Sequence, residues 1–157
     1  AKYKLTRHCL QILAENDWTV VVQTRSPLVL RDIDIPKETN TFEVGLSITT
    51  ADDEIRKLFE PHAPRIVERL NALAELHRSG IRTYAMIAPM LPGAESLVEM
   101  LKGNVDYILV DRMNYHYADS IYLKSGLEDK LSEEYSTWAG HKIKSDSERL
   151  GIECTIV

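Results

Sequence analysis

The sequence predicts an α/β fold built on a parallel sheet, and three observations carry that prediction. Short runs rich in β-branched and apolar residues recur along the chain, with a last one at its end. Stretches of helical periodicity fill the gaps between them. The runs themselves show little strict alternation, as expected of strands covered on both faces. Such regular succession predicts four to five parallel strands with alternating helices, joined as βαβ units. Periodicity accommodates an open sheet and a segment of a (β/α) barrel equally.

The first element is a helix, in which Leu5, Cys9, Ile12 and Leu13 fall on one apolar stripe. The first strand is predicted at 18–23 (WTVVVQ) and the second at 42–48 (FEVGLSI). Thr50 followed by Asp53 resembles a capping box and opens a short helix, with Ile55, Leu58 and Phe59 as its buried face. Glu60-Pro61 interrupts it. A longer helix follows, with Pro64 near its start and Ile66, Leu70, Leu73 and His77 along one side. Gly80 occupies the place of a left-handed C-terminal cap. The third strand is predicted at 81–88 (IRTYAMIA), then a short helix at 94–102 ended by Gly103, and the fourth strand at 105–110 (VDYILV). The last and longest helix is expected within 128–150, with Leu131, Tyr135, Trp138 and Ile143 facing inward. A strand at 152–157 (IECTIV) closes the order. An open edge on the first strand would be a pairing hazard. The C-terminal strand, another subunit or further chain is expected to cover it.

Composition narrows the class. With 157 residues, 44% hydrophobic and 27% charged, the chain is expected to form a single α/β domain over 1–157. It has no apolar run of the roughly 20 residues that a membrane helix needs, and no signal-peptide layout, so a cytoplasmic location is expected. A net charge of −5 gives no electrostatic footprint for nucleic acid. The two cysteines, Cys9 and Cys154, are expected to be free thiols buried as structural residues.

Sites in parallel α/β folds gather at the carboxyl ends of the strands. Four groups fall there: 24–27 (TRSP), Ser47 with Thr49, Thr50 and the acidic 52–54, the 89–93 turn (PMLPG), and 111–116 (DRMNYH). Arg25 reads either as a surface arginine or as a guanidinium that grips a carboxylate or phosphate. Ser47 and Thr49 share a strand face, and either satisfy nearby backbone or present hydroxyls to a ligand. The acidic cluster reads as favourable charge at a helix N-terminus. The turn at 89–93 either ends the strand or shapes an apolar slot for a planar ring. Asp111 and Arg112 could form a mutual ion pair, and His116 is a loop histidine without a ligand-spaced partner. The histidines form no HExxH pair, and the sequence contains no GxGxxG, GxxxxGK[ST] or GxSxG motif.

In order and spacing, 23–26 (QTRS), 44–50 (VGLSITT), 58–61 (LFEP), Ala63-Pro64, Arg69-Leu70, Gly80-Ile81, 87–89 (IAP) and Pro92-Gly93 resemble the later part of a radical S-adenosylmethionine (SAM) enzyme core. The branch resembled is the one related to spore photoproduct lyase, also called DNA repair photolyase-like. The stretch 44–69 is the most specific, and the similarity runs from about 18 to 107. The resemblance implies a partial (β/α) barrel with SAM across the carboxyl ends of the strands. It implies SAM-binding roles for Arg25, Ser47, Thr49, Arg69 and Ile87. Arg25 stands where the family usually has Lys near the SAM carboxylate, and Glu60 would organise Arg69. Pro89 stands where Gly would be usual. The family's [4Fe–4S] cluster is held by Cys-x-x-x-Cys-x-x-Cys, and Cys9 and Cys154 cannot form that set.

The expectation is therefore a C-terminal, SAM-binding portion of a radical SAM enzyme, inactive alone and lacking roughly the first two βα units of the barrel. The cluster would belong to the full-length parent. The partner expected is a missing N-terminal segment, or another subunit covering the sheet edge. Two alternatives are a non-enzymatic SAM-binding or assembly domain and some other phosphate-handling barrel fragment.

Overall fold

A computed structural model describes residues 4–112 and 116–157. Helices α1 (Leu5–Glu15), α2 (Asp34–Lys37), α3 (Asp53–Phe59), α4 (Ile66–Arg78), α5 (Leu97–Leu101), α6 (Asp119–Lys124) and α7 (Glu133–Arg149) alternate with five strands. The strands are β1 (Val20–Thr24), β2 (Phe42–Ser47), β3 (Arg82–Ile87), β4 (Tyr107–Val110) and β5 (Glu153–Ile156). All neighbouring pairs are parallel and the order is sequential, β1-β2-β3-β4-β5. A doubly wound sheet reverses its strand order at a switch point, whereas a barrel segment adds each strand beside the last. The observed order follows the barrel pattern, which periodicity had left open.

Strand parity assigns the two faces. Val44 and Leu46 on β2, Ala85 and Ile87 on β3, and Ile108 and Val110 on β4 point into one core. That core is completed by Ile66, Leu73 and Leu76 of α4 and by Ala139 and Ile143 of α7. The other face carries Gln23, Glu43, Gly45, Arg82, Tyr84 and Tyr107 by register. There the Tyr84 ring lies flat against Gly45, where an added Cβ would come within 2.2 Å of it. Tyr84 stacks on Tyr107 at 5.1 Å, and Tyr107 donates a 2.6 Å hydrogen bond to Glu43. This is why β2 tolerates a glycine that would otherwise weaken a strand.

Several local expectations need correction. Of the apolar stripe of α1, Leu13 packs partly buried against the cluster of Leu10, Ile35 and Phe42, while Leu5, Cys9 and Ile12 are exposed; Leu10 is the buried residue of the helix. Cys154 is half-buried, and burial pushes its thiol pKa up. The cap of α3 is Asp52, whose carboxylate accepts from the Glu54 N–H at 2.8 Å. The Thr50 hydroxyl instead donates to the Pro92 carbonyl at 2.6 Å. The buried residue of α3 is Arg56, and Leu58 is exposed. On the last helix Ile143 is buried as expected and Trp138 is exposed, while Leu131 lies in the turn before the helix and is exposed. β5 pairs with β4 at the far side of the sheet, so the C-terminal strand does not cover the outer edge of β1. Gly80 does take the left-handed conformation expected of it, at φ 80°.

Candidate binding site at the carboxyl ends of the strands

The segments after β1, β3 and β4 and the end of α3 border a cleft of about 570 Å³, within the usual range for small-molecule sites. Arg25 follows β1. Phe59 and Glu60 come from the end of α3, Pro89 follows β3, and Arg112 follows β4. Ile121 of α6 closes the apolar side. Met113, Asn114 and Tyr115, grouped above with this segment, lie outside the described residues.

Glu60 organises the charged side of this cleft. Its Oε1 pairs with Arg25 Nη1 at 2.9 Å and its Oε2 with Arg69 Nη2 at 2.8 Å. The Thr49 hydroxyl donates to Oε2 at 3.2 Å. Arg69 is wholly buried, so its charge must be met inside the protein. Its remaining donors reach the Ser47 carbonyl (Nη1, 3.0 Å) and the Pro64 carbonyl (Nε, 3.0 Å). Arg25, by contrast, is 51% exposed at its side chain and borders the cleft. One carboxylate thus anchors a buried cation and steers an accessible one.

The sequence-derived site residues therefore divide. Arg25, Thr49 and Arg69 converge on Glu60, and Ser47 joins through its carbonyl, not its hydroxyl. Ile87 has core parity and is fully buried in the main core; Ala88 and Pro89 border the cleft next to it. The acidic cluster has a structural share: Asp53 pairs with Arg56 at 3.0 Å and accepts from the Ile66 N–H at 3.1 Å. The Arg56 guanidinium first, then that backbone donor, hold the Asp53 carboxyl down at about 2. Arg112 pairs with Glu133 at 3.1 Å and His116 with Asp119 at 2.9 Å. Reading the residues one by one missed Arg56 and Ile121, and assigned Phe59 to the buried face of α3, whereas it borders the cleft. An arginine amid the apolar face expected of α3 was the available signal for the first of these.

Among the described residues, no three His, Cys, Asp or Glu side chains are placed to hold a metal. Cys9 on α1 and Cys154 on β5 belong to elements at opposite sides of the sheet, so the chain's own thiols do not fit an iron–sulfur cluster. No described helix is long and apolar enough to cross a membrane.

No protein-family model matches the chain. An uncharacterised protein of Methanocaldococcus jannaschii is 34% identical over 131 residues, covering 82% of this chain and 47% of that protein. An uncharacterised protein of Acidianus two-tailed virus is 26% identical over 150 residues, covering 84% of this chain and 50% of that protein. The chain thus spans about half the length of the curated relatives it matches. Among solved structures, spore photoproduct lyase complexed with a dinucleoside spore photoproduct superposes with a TM-score of 0.67 at 12% identity, over 98% of this chain and 55% of that one. A cysteine-to-serine mutant of the same lyase gives 0.66 at 13% identity. The five-stranded parallel sheet with its alternating helices is therefore similar to the fold of spore photoproduct lyase.

Proposed function

We propose that this chain forms the SAM-binding part of a radical SAM protein whose cluster ligands it does not itself supply. The observation that carries the reading is the Arg25–Glu60–Arg69 constellation beside an open cleft at the carboxyl ends of parallel strands. The fold likeness to spore photoproduct lyase and the sequence resemblance over 44–69 support it.

The residues fit such a ligand. Arg25 offers an accessible guanidinium for a carboxylate, tethered at Nη1 by Glu60. Phe59, Pro89 and Ile121 offer apolar surface for a planar ring. Arg69 fixes the direction of the Glu60 carboxylate. When bound beside a reduced cluster, SAM supplies a 5′-deoxyadenosyl radical. The chain's own part is to orient the molecule and keep water from its apolar side. In this reading the uncovered β1 edge receives the segment or subunit that brings the cluster.

Calorimetric titration of the purified chain with SAM tests the reading. Saturable binding that weakens in Arg25→Ala is expected. Absence of binding at millimolar ligand, with the chain folded by circular dichroism, overturns it.

A further inference from the structure

The backbone that presents Glu60 is itself gripped from behind. Glu60 lies in the connection 60–65 between α3 and α4. Arg56, buried despite its charge, uses its whole fork on this connection and its flanks. Nε and Nη2 meet the two Asp53 oxygens at 3.0 and 3.1 Å. Nη1 reaches the carbonyls of Glu60 at 3.3 Å and Ala63 at 3.1 Å. Asp53 also accepts from the N–H of Ile66, where α4 begins. One ion pair thereby ties the start of α3, the connection and the start of α4.

The same connection supplies the Pro64 carbonyl that holds Arg69 Nε. Both partners of the Glu60–Arg69 pair therefore take their position from a backbone that Arg56 fixes. We infer that Asp53 and Arg56 are positioning residues for the binding rim, setting Glu60 so that its two oxygens address two different arginines. The inference deepens the proposed function and rests on it for its purpose, though its geometry stands apart. Neither residue borders the cleft, so both act through Glu60. A planar fork is needed for this, since an ammonium cannot reach a carboxylate and two carbonyls in one plane.

Asp53→Asn keeps the size of the side chain and an oxygen for the Ile66 N–H, while it removes the charge that orients Arg56. The test is native-state labelling of arginines by phenylglyoxal, read by mass spectrometry and compared at equal folded fraction. Labelling of Arg25 and Arg69 is expected to rise several-fold in the variant, while Arg82 and Arg149 stay at the wild-type rate. SAM affinity should fall in parallel. Unchanged labelling at Arg25 and Arg69, or an equal rise at every arginine, overturns the inference, because the second result marks general loosening. If Asp53→Asn does not fold, Arg56→Lys is put through the same comparison with the same two outcomes. A wild-type chain that binds no SAM defeats the functional reading, while the labelling pattern still decides this one.

Discussion

The segment from β2 to α4 and the edge formed by α1 and β1 use similar apolar patterns to opposite ends. In the first, Leu46, Leu73 and Leu76 are fully buried, and even Arg69 and Arg56 are drawn inside because each finds a complete set of partners. In the second, Leu5, Ile12, Trp18 and Val21 remain exposed, although two of them lie on a stripe that resembles a core face. α1 is held partly by charge: Arg7 pairs with Asp34 at 2.6 Å and Asp32 at 3.3 Å. An apolar stripe records that a surface is meant to be covered. It does not say whether the cover lies in the same chain.

Predictions follow from breaking each side of that contrast. The largest effect belongs to Arg69→Ala, which empties the space of a wholly buried side chain and leaves Glu60 with Arg25 as its cation; a loss of about 3–5 kcal/mol is expected in urea unfolding. Gly45→Ala should cost about 1–3 kcal/mol, because the new methyl meets the Tyr84 ring and disturbs its stack on Tyr107. Near-ultraviolet circular dichroism should report that disturbance.

Acid provides a third test. The folded-state pKa of Asp53 is depressed to about 2, below its unfolded value, so its contribution is complete above about pH 4 and is lost as pH falls through 2. Asp53→Asn should therefore lose stability less steeply than wild type between those limits, as followed by thermal unfolding. Ile12→Ser, on the open edge, should change stability by no more than about 0.5 kcal/mol.

The sheet was legible in the sequence because parallel strands announce themselves by short β-branched runs between helical periods. All five lie within two residues of their expected starts; β1 begins at Val20 where 18 was expected, and β4 at Tyr107 where 105 was expected. Facing was less legible. Cys9 and Leu10 are adjacent, and the stripe through Leu5 and Ile12 concealed that Leu10 is the inward residue. On α3 a buried arginine defeated a reading based on hydrophobicity, since its burial depends on Asp53 and on carbonyls several residues away. Arg25, Thr49 and Arg69 were named as binding residues by the resemblance, which also made Glu60 the organiser of Arg69, and all three converge on Glu60. Ile87 entered the same group from the resemblance, yet strand parity turns it into the core.

The account turns on Arg25 receiving a carboxylate beside an apolar ring slot. Comparing SAM with 5′-methylthioadenosine, which keeps the nucleoside but lacks the amino-acid carboxylate, tests this most directly. By calorimetry, the wild-type chain should bind SAM more tightly than methylthioadenosine, and the difference should largely vanish in Arg25→Ala. Equal affinities for the two ligands in wild type, or a difference that survives in Arg25→Ala, would contradict it.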